Sequence, residues 1–174
     1  DVESTRSYID ELYSSDPQRC LDALVCLRNS VIGSDRQKGA VIAQGVVPRL
    51  LQLLSDDNFD CEHQISLEAA ITLGSLAKGT DQHVLALIDL GVVPSLLQVL
   101  FNQGARCTGF EDLNLPHPMI EAALRCLRTI FQHPAAPSSL LFKNPDVIGH
   151  LLRLTNISLN SEMYVSMILM KICK

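Results

Sequence analysis

A chain of 174 residues that is 47% hydrophobic and 19% charged is sized and balanced for one ordinary unit with a sizeable buried core. Its formal net charge of −5 comes without any basic run. Phosphate-rich partners need a dense Lys/Arg face, so nucleic acid and anionic membrane are not expected partners. No uninterrupted apolar run reaches the roughly 18 residues of a membrane span, and the opening DVESTRSYIDEL has neither a basic nor an apolar leader region, which predicts a soluble intracellular protein.

The first element is a long amphipathic helix over LDALVCLRNSVIG (21–33), with Asp16 and Pro17 supplying its capped start. A short helix, Arg36–Gln44, follows and ends at Gly45, where a left-handed residue costs glycine nothing. Pro48 then lies in the first turn of a helix over Val47–Leu54. Leu50, Leu51, Leu53 and Leu54 make that helix too apolar for a surface position, so neighbours should cover it. The carboxylates of SDD (55–57) and DNFD (57–60) read as a solubilising turn rather than a metal site.

A long helix, His63–Lys78, comes next, and the pattern then restarts. QHVLALIDL (82–90) leads to Gly91, and GVVPSLLQVL repeats GVVPRLLQLL at eight of ten positions, 46 residues later. Pro94 again falls in the first turn, and Leu96, Leu97, Val99 and Leu100 repeat the all-apolar character. NQGARCTGFEDLNLPHP (102–118) is rich in Gly, Asn and Pro, has no helical period, and predicts an inserted exposed loop. A third long helix covers AALRCLRTIFQH (122–133). VIGHLLRL (147–154) is a degraded third copy of the repeated phrase, with Gly149 in the proline position. Ser161 and Glu162 open a last helix, SEMYVSMILMKICK, which carries apolar residues to its end without a capping signal.

Leu27, Leu73 and Leu127 align across the long helices, as do Ala23, Ala69 and Ala123; the insertion accounts for the longer second spacing. A unit of roughly 40–50 residues made of short helix, helix and long helix signals a helical solenoid in which each layer covers its neighbour's apolar face. The expectation is a single all-α solenoid over 1–174 with a loop inserted at 102–118. Its uncapped C-terminal end predicts further layers or weak self-association. Cys20, Cys26, Cys61, Cys107, Cys126 and Cys173 include no C-x-x-C pair, so most should be small core residues in a reducing compartment.

The order helix, Gly, V-V-P-x-L-L-x-L-L, loop, then E-A-A-I-x-L-x-S-L-A-x-G resembles the armadillo repeat from about Pro17 onward, with HEAT repeats as the near alternative. The resemblance implies an armadillo-type right-handed solenoid of about three repeats plus a partial one. LRNSVIGSDRQK (27–38), VVPRLLQLL (46–54), LGSLAKGT (73–80), EAALRCLRTIF (121–131) and VIGHLLRL (147–154) further resemble the armadillo subunits of the CTLH complex, a RING-type E3 ubiquitin ligase. This closer resemblance implies a non-catalytic scaffold in ubiquitin-dependent degradation. Its partners would be CTLH core or substrate-receptor subunits, and its location the cytoplasm and nucleus. The 102–118 insertion and the tail after about Asn156 depart from that family.

In armadillo stacks the third helices line a groove marked by a Trp followed four residues later by an Asn. The matching pairs here are Val25 and Asn29, Ile71 and Ser75, and Arg125 and Thr129. Only Asn29 keeps the family residue and the chain has no Trp, which disfavours reading of nuclear-localisation peptides. Stripes at i, i+4, i+7 still place polar residues on one face. Asn29, Ser75, Lys78, Arg125, Thr129 and Gln132 on these stripes, with Arg128 and its aligned Arg28 beside them, are nominated as a protein-binding groove, with Arg125 and Arg128 favoured as interface anchors. Against this stands a plain solvated face, with Arg125 paired to Glu121 on its own helix. Phe110, Leu113 and Leu115 in the insertion form a second candidate docking segment.

His63, His83, His117, His133 and His150 are scattered, and neither G-x-S-x-G nor a P-loop occurs, so no catalytic residue, cofactor or metal is expected. The competing functions are a catenin-like or transport-type peptide adaptor, a helical enzyme domain and a membrane-surface adaptor. The first is disfavoured by the missing Trp/Asn ladder and the third by the negative charge, while the second would need titratable residues converging in a pocket.

Overall fold

The computed structural model describes residues 8–55, 64–106 and 117–173. Its elements in chain order are α1 (Pro17–Val31), α2 (Asp35–Ala43), α3 (Val47–Ser55), α4 (Gln64–Ala77), α5 (Asp81–Asp89), α6 (Val92–Arg106), α7 (Pro118–Gln132), α8 (Ser139–Phe142), α9 (Pro145–Arg153) and α10 (Leu159–Leu169). The described residues are helical with no strand. The helices group as three short–middle–long triplets preceded by one long helix, which is an armadillo-type solenoid.

Local chemistry sets the boundaries. The Asp16 side chain accepts from Gln18 N to cap α1, Ser34 from Gln37 N to cap α2, and Thr80 with His83 closes a capping box on α5. Gly45 and Gly91 have φ of 76° and 86°, so each stops its short helix in the left-handed region and turns the chain into the next. The third copy of the phrase solves the same problem differently: α9 starts at Pro145, capped by Asn144, so the helix begins ahead of Gly149 and needs no proline there.

Packing follows the aligned leucines. Leu27, Leu73 and Leu127 are each at most 1% exposed, and Ala23, Ala69 and Ala123 at most 4%. The small residues bring the long helices close, and α4 packs on α1 and α7 while α7 packs on α10. Each such leucine withdrawn from water stabilises the stack by about 1.5–3 kcal/mol. Leu50, Leu53 and Leu54 of α3 and Leu96, Leu97, Val99 and Leu100 of α6 are buried as their apolar character demands, whereas Leu51 is half-buried.

Three expectations are corrected. Helix α6 continues through residue 106, so the segment expected to be loop from 102 is helical in its first five residues. The last helix opens at Leu159, not at Ser161: Ser158 is the cap and accepts from Ser161 N. The cysteines do not behave as one class. Cys20 and Cys126 are buried, but Cys26 and Cys173 are exposed. Cys26 lies off the buried stripe of Cys20, Ala23, Leu24, Leu27 and Val31. The carboxylates at 56–60, the cysteines Cys61 and Cys107, His63 and the apolar insertion residues Phe110, Leu113 and Leu115 lie outside the described residues.

Candidate protein-binding face

The long helices α1, α4, α7 and α10 stand side by side and form one continuous layer, and the nominated residues lie along it. Repeat alignment puts Arg28, Gly74 and Arg128 at one register and Glu68 and Ala122 at another. Each seam between adjacent long helices is filled according to which of these residues it receives.

At the α1–α4 seam, Arg28 Nη1 donates to both Glu68 carboxylate oxygens, at 2.9 and 2.7 Å. Both side chains are largely covered, at 26% and 18% exposure, so the ion pair is a half-buried rivet between helices rather than a free guanidinium. At the α7–α10 seam, the ring of Tyr164 lies under two guanidiniums, with Arg125 and Arg128 carbons 5.7 and 5.1 Å from the ring centroid. Arg125 Nε also donates to the Tyr164 hydroxyl at 3.0 Å. Tyr164 is 4% exposed, and Arg128 Nε is buried without a hydrogen-bond partner.

At the α4–α7 seam these two registers hold neither arginine nor acid. Gly74 presents no side chain and Ala122 stands where Glu68 stands in the earlier seam, which leaves a cavity of about 260 Å³. Leu67, Ala70, Ile71 and Ala122 give it an apolar floor, and Ser75, Lys78, Glu121, Arg125 and Thr129 give it a polar wall. Cys126 also lines it, and burial pushes that thiol from 9.0 up to about 12. The neutral thiol is an unreactive piece of wall.

The nominated residues therefore divide. Lys78, Arg125, Ser75 and Thr129 are brought together around this cavity. Asn29 and Gln132 are exposed on the same layer but away from the cavity, and Arg28 and Arg128 are engaged in the flanking seams. Thr129 does not face outward as its stripe predicts: it is 6% exposed, and its hydroxyl donates to the Arg125 carbonyl at 2.9 Å. The anticipated pairing of Arg125 with Glu121 is also corrected. Glu121 instead accepts from Ser158 Oγ at 2.7 Å and Asn160 Nδ2 at 3.4 Å, tying α7 to the start of α10. Glu68 and Tyr164 were missed in sequence, although each lies on the long helix that follows its arginine.

Three histidines serve the framework. His83 completes the α5 cap, His133 lies 2.9 Å from Asp81 Oδ1 and 3.2 Å from the Ala77 carbonyl, and His150 packs its ring 4.2 Å from that of Phe101. Among the described residues, no group of three His, Cys, Asp or Glu is placed to hold a metal ion, and no single helix is long and apolar enough to cross a membrane.

Comparison with known proteins agrees with this architecture. The armadillo/beta-catenin-like repeat model matches residues 34–61. Armadillo repeat-containing protein 8 of Danio rerio is 39% identical over 98% of this chain, which covers 23% of that relative, and the Mus musculus protein gives the same values. The chain thus spans about a quarter of the length of these relatives. Among solved structures, an engineered protein superposes with a TM-score of 0.74 at 23% identity, over 97% of this chain and 62% of that one. A designed armadillo repeat protein in complex with the peptide (KR)4 gives 0.74 at 19% identity, over 95% and 63%. At these identities the two structures speak to fold alone.

Proposed function

Because the chain is an armadillo-repeat solenoid, similar along 98% of its length to about a quarter of Armadillo repeat-containing protein 8, we propose that it is one arm of a non-catalytic protein-interaction scaffold in a CTLH-type ubiquitin ligase. In this reading it positions core or substrate-receptor subunits for ubiquitin-dependent degradation in the cytoplasm and nucleus. The mechanism is geometric. A preformed layer of long helices holds one partner in fixed relation to another, and a few anchors on that layer supply the affinity.

The observation that carries this reading is the layer itself. The Arg28–Glu68 and Arg125/Arg128–Tyr164 contacts lock adjacent long helices together, so the face they carry is rigid before any partner arrives. Rigid faces lose little entropy on binding. The test is co-elution of the purified chain with reconstituted CTLH core subunits on size exclusion, with Gln98→Glu on α6 as a control away from the long-helix layer. Co-elution of both proteins supports the reading. A chain that elutes alone at micromolar concentration, while full-length Armadillo repeat-containing protein 8 co-elutes, contradicts it.

A further inference from the structure

We propose that the α4–α7 seam takes an acidic peptide segment of a partner protein, seating one aliphatic side chain over Gly74 with flanking carboxylates on Lys78 and Arg125. This rests on the long-helix layer being the binding face, and it names the chemistry of what binds there.

Three observations converge on it. The first is space, because at the register where the flanking seams carry arginine this seam carries glycine and keeps a cavity between its helices. At about 260 Å³ that cavity falls below the roughly 300–1,000 Å³ of small-molecule sites, and its apolar floor suits a single inserted side chain. A Cβ at Gly74 meets Cys126 only at 3.8 Å, an ordinary contact, so the site is not closed by backbone approach.

The second is charge. Of the acids near the seam, Glu68 is neutralised by Arg28, and Glu121 keeps its charge but turns its oxygens to Ser158 and Asn160. The Lys78 ammonium is exposed and has no ion pair or hydrogen bond among the described residues, and Arg125 lies over the Tyr164 ring and donates to its hydroxyl through Nε alone, leaving its terminal amino groups for a ligand. Two cations against the one acid on the cavity wall favour a carboxylate-bearing ligand.

The third is sidedness. Lys78 stands on α4 and Arg125 on α7, so the two charges flank the cavity from opposite walls. A strand-like segment with an apolar residue between acidic ones meets both. Two isolated cations in a chain of net charge −5, with no aromatic side chain lining the seam, do not make a nucleic-acid track.

The experiment is fluorescence anisotropy with a labelled short peptide carrying one leucine between runs of aspartate and glutamate. Competitors are the same peptide with serine for leucine, with asparagine and glutamine for the acids, a lysine–arginine peptide and single-stranded oligothymidine. Saturable binding of the acidic leucine peptide is expected, weakened about tenfold by Lys78→Glu and by the leucine-to-serine change, and unaffected by Gln98→Glu. Gly74→Leu should abolish the advantage of leucine over serine. Lys78→Glu alters an exposed side chain, so that arm stands even if Gly74→Leu misfolds. No saturable binding, equal binding by Lys78→Glu, or tighter binding of the basic peptide or the oligonucleotide overturns the proposal. Failure here with CTLH co-elution intact removes this site and leaves the scaffold; peptide binding without co-elution does the reverse.

Discussion

Where α1 meets α4, Arg28 reaches across and fills the seam, its Nη1 donating to both Glu68 carboxylate oxygens; where α4 meets α7, glycine stands at the same register and a cavity remains. Where α7 meets α10, the register carries arginine again, now stacked on Tyr164. One fold thus fills this register at Arg28 and at Arg128 and leaves it open at Gly74 between them. The difference comes from single residues, because the buried alanines and leucines at the aligned positions are shared by α1, α4 and α7. The repeat supplies the stack, and departures from the repeat supply the places where another molecule can fit.

Breaking a closed seam should cost most. Tyr164→Ala removes a buried ring and unstacks two guanidiniums, and is expected to lower stability by about 3–4 kcal/mol in urea denaturation. Glu68→Ala leaves Arg28 half-buried without its partner and should cost about 1–2 kcal/mol, with the loss recovered in part by Arg28→Met.

The open seam is probed through its thiol. In the folded chain Cys126 holds its proton up to about 12, whereas the ordinary value is 9.0. Below pH 9 both states are protonated and the group is neutral to stability. Above it the unfolded chain releases a proton that the folded chain retains, so stability falls with rising pH. The expected slope approaches about 1.4 kcal/mol per pH unit. Cys126→Ala should remove that component, seen as a shallower fall in urea midpoint between pH 9 and 10.

The smallest effect has the opposite sign. Gly74→Ala places a methyl in ordinary contact with Cys126 and removes a helix-interior glycine, so it should stabilise by up to about 1 kcal/mol in thermal unfolding. A loss of stability at this position would mean that the seam closes more tightly than its cavity indicates.

The architecture was legible because it is periodic. Gly45, Gly91, Pro48 and Pro94 recur at a 46-residue spacing, and each does in the structure what its conformational preferences require. The helix starts at Pro145 and Leu159 were harder to read. Their caps, Asn144 and Ser158, lie ahead of the phrase VIGHLLRL and of Ser161, on which the reading rested.

The face was legible only in part. Its stripes can be drawn from helical period, but the partners of Arg28 and Arg128 sit about 40 residues ahead on the following long helix. Spacing within a helix does not reveal them, which is why Glu121 looked like the natural partner of Arg125. The signal that could have found the open seam was already in the repeat alignment. Gly74 falls between Arg28 and Arg128 at one register, and Ala122 replaces Glu68 at the other.

The most direct measurement is site-specific photo-crosslinking in full-length protein assembled with purified CTLH core and receptor subunits. A benzophenone side chain is placed in turn at Ser75 beside the open seam, at Asn29 beside a closed one, and at Gln98 on α6. The account predicts a crosslinked partner from Ser75 and little from Asn29 or Gln98. Crosslinking from Gln98 with none from Ser75 would place the partner away from the long-helix layer and contradict the account.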